Sequence, residues 1–281
     1  YYATLNMREP NNKHYAYANY GIDTDAMDQF EIEPDSGYVQ MEGTNEAWLR
    51  LVELSKTAAE EESYTEIRQL LDIDEYINVM AAEFFLGGTD WPHNNVKGYR
   101  DINNGKFRFV LFDLDFAGQT STPFQNFFDK EKFQSEHELL GFDYSVNKSL
   151  EGTRRNGTNT FVTLFKNLLK NDQFRKQFID TYCILGGSVM QPKYVKEIAN
   201  EIKNYVQKGI YSEDYFDPSL SSNYVINKFT TTWNSNLVDH MKKRPEMNIS
   251  NIEKQSVTLS ANIKGAKITI NGINLPYTEF N

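Results

Sequence analysis

Cysteine is nearly absent: Cys183 stands alone in 281 residues. A single thiol excludes an internal disulfide and a cysteine-based metal cluster, and it leaves the redox compartment open. It sits in the apolar run Tyr182-Cys183-Ile184-Leu185 and reads as a buried small hydrophobe. Histidines number only 4 and show no ligand spacing, which counts against a histidine-built hydrolytic metal centre. No apolar run approaches the ~18 residues of a membrane-crossing helix, so no membrane span is expected. Basic residues are outnumbered, 29 Lys and Arg against 39 Asp and Glu, for a net charge of −10. That balance disfavours nucleic acid, whose binding is driven by cationic surface. It suits a basic or neutral protein partner, though acidity is also simply a solubility device. An initiating Met and a signal peptide are also missing, and Tyr1-Tyr2-Ala3-Thr4-Leu5 reads as mid-strand, as in a fragment or processed form.

What remains is an ordinary globular composition, 40% hydrophobic and 24% charged, enough to bury one large core or two small ones. The informative stretch is Tyr76 to Gly118. Ile73, Tyr76, Ile77, Met80 and Phe84 recur at helical spacing, so an amphipathic helix is expected. Asp72 with Glu75 three residues on reads as an N-cap with its reciprocal partner. Gly87-Gly88 stops the helix, because glycine enters the left-handed region at no steric cost.

The polar loop Thr89-Asp90-Trp91-Pro92-His93-Asn94-Asn95 follows, with Pro92 placing Asp90 on a fixed loop at a helix end. Val96 to Arg100 and Lys106 to Phe112 then flank Asp101-Ile102-Asn103-Asn104-Gly105, which marks a hairpin. Its second strand is expected to run into Asp113-Leu114-Asp115, and strand alternation would point both carboxylates the same way. Paired carboxylates repel unless a cation lies between them, and a magnesium-type ion with oxygen ligands is the natural occupant. The residues therefore suggest Asp90 as a base or orienting group, Asn95 as a neutral oxygen ligand, and Asp113 with Asp115 as metal carboxylates. The interval from Asp90 to Asn95 equals that between Asp and Asn in the kinase catalytic loop.

The run from Leu86 through His93-Asn94-Asn95, Tyr99 and Phe107-Arg108-Phe109 to Phe112-Asp113-Leu114-Asp115 resembles the CotH family of spore-coat-type atypical protein kinases, found in many bacteria. Leu5-Asn6-Met7-Arg8-Glu9, Asn19-Tyr20-Gly21-Ile22-Asp23, Leu164 to Leu169, Phe174-Arg175 and Arg244-Pro245-Glu246 extend the likeness over roughly residues 1 to 247. The resemblance implies an α+β, protein-kinase-like fold over 1–250. Residues 1–10 would close a small lobe and hinge, and 11–250 would form a mostly helical large lobe. The strands before the hinge, with the phosphate-gripping Lys, would lie upstream of residue 1. Lys13 and Lys97 are candidates for that role only by elimination, and both read as solvated. Arg8 and Glu9 would border the nucleotide or the lobe junction, or form a surface ion pair, and His93 would order the loop.

The implied activity is transfer of a phosphoryl group from ATP, with Mg2+ or Mn2+, to a Ser or Thr of a Ser-rich or basic protein. Two other readings stand beside it: an inactive kinase-like scaffold at the cell surface, and a small-molecule kinase. An exported or cell-surface location is expected from relatives with β tails.

Elsewhere, residues 11 to 45 look polar and turn-rich, with Asp23, Asp25, Asp28, Glu31, Glu33 and Asp35 forming a solvated acidic face. Helices are expected at 45–57, after Glu60-Glu61-Glu62, and at 161–169, 172–185, 193–208 and 224–243. Their aromatic residues Phe165, Phe174, Phe178, Tyr182, Tyr194 and Trp233 would be core. Residues 119 to 160 look irregular, with Arg154-Arg155 either a phosphate or acidic-substrate contact or exposed loop. Alternation from Val257 to Ile273 with an Asn271-Gly272 turn suggests a separate β module over 255–281.

Overall fold

Helix entry at Asp72 shows how local chemistry and tertiary contacts share the work. The Asp72 side chain accepts from Glu75 N at 3.4 Å and caps the helix Ile73–Leu86, here α4. The reciprocal bond of a capping box does not form, because Asp72 N already donates to Phe107 O at 3.1 Å. The Glu75 side chain turns instead to Arg108 at 3.5 Å and Tyr20 at 3.4 Å. Burial raises its carboxyl to about 7, with Arg108 opposing that shift.

The computed structural model describes residues 8–33, 37–103, 105–118, 123–129, 159–207 and 233–250, with 252, 259, 262–263, 266–270 and 273–274 in the tail. Tyr1 to Leu5, expected to be mid-strand, lie outside these, as do Arg154-Arg155 and the first part of the helix expected at 224–243. The chain divides into two compact units, Glu9–Phe178, and Tyr1–Arg8 with Ile179–Asn281.

In the larger unit, α1 (Lys13–Tyr20) precedes β1 (Met27–Glu33) and β2 (Gly37–Glu42), then α2 (Glu46–Ser55), α3 (Glu61–Leu70) and α4. β3 (Val96–Asp101) and β4 (Arg108–Phe109) follow, then α5 (Pro123–Asp129), α6 (Thr160–Leu168) and the start of α7 (Asp172–Gly187). The strands form one antiparallel sheet in the order β2-β1-β3-β4. Helices and antiparallel strands are segregated, not alternating, so the architecture is α+β.

Residues 11 to 45 correct part of the expectation of a polar, turn-rich face: Asp23 and Asp25 are exposed as expected and Asp35 lies outside the described residues, but the segment holds a helix and two strands of the sheet, β1 and β2. Asp28 is 3% exposed, with Arg100 Nη1 on its Oδ2 at 2.8 Å and Thr44 N on its Oδ1 at 2.9 Å. Lys97 is not solvated either: its ammonium meets Glu31 at 2.8 Å and lies 5.1 Å from the Phe112 ring centroid. Acids spaced along the sequence read as solvated, yet a cross-strand cation makes burial tolerable.

The core is aromatic. Phe30 packs on Trp48 at 4.5 Å and Tyr38 at 4.9 Å, and Gly98 leaves room for it: a Cβ there would come within 2.4 Å of the Phe30 ring. Behind the sheet, Tyr76 and Phe84 of α4 meet Phe109, Phe161, Phe165, Phe174 and Phe178. α5 also corrects the irregular reading of residues after Gly118, because Phe124, Phe127 and Phe128 are all buried. Buried amides cross-link the helices, with Asn167 Nδ2 on Ser55 Oγ at 3.0 Å and Asn171 Nδ2 on Ala58 O at 2.9 Å.

The smaller unit holds the C-terminal part of α7, then α8 (Pro192–Gln207), α9 (Trp233–Lys242) and a 3-10 turn at Pro245–Met247. Tyr182, Leu237, Met241 and Met247 are buried, and Tyr194 is half-buried. In the tail, β5 (Thr269–Ile270) pairs antiparallel with β6 (Ile273–Asn274), while most of the strand expected from Val257 lies outside the described residues. No helix among the described residues is long and apolar enough to cross a membrane.

Candidate active site

α4 ends where glycine permits it. Gly87 takes φ 62°, and its N–H returns to Glu83 O at 2.9 Å. The loop 89–95 then leads into β3, and two bonds join this region to the segment after β4. Gly118 N donates to Leu86 O at 2.6 Å. Asn95 Nδ2 donates to Asp90 Oδ2 at 2.5 Å and, at a longer 3.4 Å, to the backbone oxygen of Asp113. Asn95 and Asp113 are both left-handed, with φ 59° and 54°. Asparagine tolerates that region better than most residues, and such backbone outliers cluster at functional sites.

These residues surround one cleft of about 230 Å³, its open mouth included. Asp90, Asn95 and Asp113 line it together with Glu83, Leu86, Gly88, Trp91, Leu114, Phe116 and Ala117. Asn95 is 8% exposed, Asp90 half-buried, and Asp113 exposed. Asp115 is exposed in the turn after Leu114 and does not line the cleft. Nor do His93, half-buried in the loop, or the exposed Glu9, while Arg8, also exposed, belongs to the smaller unit. Glu9 accepts from Asn19 at 3.4 Å.

Asp113 and Asp115 do not follow the strand alternation expected of them. β4 stops at Phe109, and Asp113 has positive φ, so these residues do not continue a pleat and period-two geometry does not apply. What brings Asp113 to Asp90 is the Asn95 amide.

Glu83 was not singled out in the sequence, yet it is the most enclosed acid in the cleft wall, at 3% exposure. Burial pushes its carboxyl up to about 8, and the charge of Asp90 adds to the shift. The signal was legible: Tyr76, Met80 and Glu83 share the buried stripe of α4, and a carboxyl there must be neutral or matched. A folded-state value above the unfolded one means stability present at low pH and lost as pH rises toward 8. Wild-type stability should therefore decline on the order of a few kcal/mol between pH 5 and 8 through this group. Glu83→Gln should flatten that slope and raise the melting temperature at pH 8, but not at pH 5. Parallel melting curves across the pH range would remove Glu83 from this account.

The side chains that could ligate suit a hard divalent cation: Glu83, Asp90, Asn95 and Asp113 offer oxygen, and among the described residues the lining holds no thiolate or imidazole. With Nδ2 engaged, Asn95 has Oδ1 left to offer in the cleft that Asp113 also lines. Among the described residues no three His, Cys, Asp or Glu side chains gather as a metal-binding group. An ion here would thus be completed by water and substrate phosphates, as magnesium commonly is.

A family model described as CotH kinase protein matches residues 2–247, most of the chain. The chain belongs to the CotH kinase family. Membership supports a kinase-type enzyme, and the cleft at Asp90 lies within the matched CotH region. No curated protein matches the chain.

Proposed function

We propose that this CotH-family chain transfers the γ-phosphoryl group of Mg-ATP to a Ser or Thr hydroxyl of a protein. The observation that carries the reading is the Asn95 amide, which joins the Asp90 carboxylate to the backbone of Asp113 in one cleft. The order of helix, polar loop, hairpin and acidic segment matches the catalytic half of a protein kinase, and so supports a kinase-like fold.

In this mechanism Asp90 accepts the proton of the acceptor hydroxyl as its oxygen bonds to phosphorus and the bond to the ADP oxygen breaks. The bond from Asn95 keeps the Asp90 carboxylate aimed, which is the orienting contribution that phosphoryl transfer asks of a protein. Asn95 Oδ1 and the Asp113 carboxylate would hold the cation, which neutralises charge on the phosphates. Leu114 and Phe116, 36% and 41% exposed at the cleft, give it an apolar lip that favours a peptide over a fully hydrated alcohol.

Mg-dependent thermal stabilisation by ATP tests the reading. Wild type should gain several degrees with Mg and ATP together, and Asp113→Asn should lose most of that gain while melting normally without ligand. No shift in wild type would favour a binding scaffold, and an unchanged Mg requirement in Asp113→Asn would remove Asp113 from the site. Offering Ser-rich and basic proteins beside sugars and alcohols separates a protein kinase from a small-molecule kinase.

A further inference from the structure

A helix cap needs an oxygen; Asn159 carries an amide nitrogen as well, and that nitrogen is put to a second use. The residue is fully buried. Its Oδ1 accepts from Phe161 N at 3.1 Å and Val162 N at 3.3 Å, which caps α6. Its backbone oxygen accepts from Thr163 N at 3.0 Å and Thr163 Oγ1 at 3.1 Å. Its Nδ2 donates to Pro92 O at 3.2 Å. Pro92 lies two residues after Asp90 and three before Asn95, and both Pro92 and its neighbour Trp91 are buried. A buried carbonyl left without a donor is costly, so this bond sets where the middle of the loop must stand.

Asn159 is itself held. The next residue, Thr160, accepts from Trp48 Nε1 at 3.0 Å, so the start of α6 is fixed to α2. A continuous run of bonds therefore leads from a buried helix pair through Asn159 to the loop that carries Asp90. Within the loop, Asn94 N donates to Asp90 O at 3.1 Å, but that bond joins the loop only to itself. The loop also packs on aromatic neighbours: Trp91 lies 6.1 Å from Phe161, the second residue of α6.

We propose that Asn159 is a positioning residue for the cleft, with its side-chain nitrogen holding the Pro92 carbonyl so that Asp90 and Asn95 keep their places. The catalytic consequence rests on the phosphoryl-transfer reading; the structural consequence does not.

The test exploits the two ends of the amide. Asn159→Asp keeps a capping oxygen and replaces the donor with a second acceptor that faces Pro92 O. Asn159→Ser keeps a capping hydroxyl, removes the amide nitrogen that reaches Pro92 O in favour of a shorter side chain, and adds no charge at a buried position. Hydrogen exchange by mass spectrometry should show amides of 89–95 exchanging at least about tenfold faster in both variants, while amides within α6 stay within about threefold of wild type. Turnover should fall roughly 10- to 100-fold in kcat, with KM for ATP moved less than about threefold. Loop exchange equal to wild type in Asn159→Ser would overturn the proposal, whatever Asn159→Asp does. Equal acceleration in the loop and α6 would also overturn it and reduce Asn159 to a helix cap. Faster loop exchange in a chain whose wild type transfers no phosphate would uphold the tether and discard the reaction.

Discussion

Asp90→Ala is expected to lower the rate of phosphoryl transfer by about 10²- to 10⁴-fold, the usual contribution of a positioned general base. Mg-ATP affinity should stay within a few-fold, because the cation would be held by Asn95 and Asp113. The alanine removes the acceptor of the Asn95 hydrogen bond, so Asn95 loses one of its two restraints and keeps the longer one to Asp113 O. A modest loss of nucleotide affinity follows from that, much smaller than the loss of rate. Single-turnover kinetics beside equilibrium ATP binding separates the two quantities. Equal loss of binding and turnover would assign Asp90 to the cation and leave the proton acceptor unidentified. The variant also removes the charge that helps raise the Glu83 carboxyl, so the alkaline decline in stability should weaken with it.

Phe84→Ala should cost about 3–5 kcal/mol, the range for removing a large aromatic ring from a packed core. For a unit of this size that corresponds to a drop of about 10 °C in melting temperature. Phe84 is fully buried and stacks on Phe124 at 4.3 Å, with Phe127, Phe165 and Phe178 between 4.9 and 5.7 Å. Helices α5, α6 and α7 thus meet α4 on one ring. The same ring carries Trp91 edge-on at 5.5 Å, so the cavity opens directly beneath the loop of Asp90. Thermal unfolding by circular dichroism measures the effect, and Phe84→Leu should recover more than half of it. A loss under about 3 °C for alanine would mean that the surrounding rings collapse into the space, and that Phe84 is not the common contact of these helices.

Several elements were legible because their causes are local. Asp72 caps α4 and Gly87 closes it in the left-handed region, as the residue types require. Asp101 to Gly105 turn the chain between β3 and β4, with Asn103 N on Asp101 Oδ1 at 2.8 Å and Gly105 N on Asp101 O at 2.9 Å. Where a distant partner competes, local reasoning failed. Glu75 has the right spacing for a capping box, but Phe107 O occupies the N–H it would have reached. Asp28 and Lys97 looked solvated because Arg100 and Glu31, which neutralise them, come from other strands.

By itself the chain's residue order determined the helix before the loop, the stop at glycine and the membership of Asp90, Asn95 and Asp113 in one motif, since capping, chain reversal and spacing act over a few residues. Only the tertiary structure decided how those three meet, through an amide bridge and two left-handed residues instead of a regular strand end. It also placed Glu83 in the wall of their cleft and Asn159 against Pro92 in the loop between Asp90 and Asn95. Desolvation and long-range hydrogen bonding depend on what packs against a residue, and that information is spread over segments far apart in sequence.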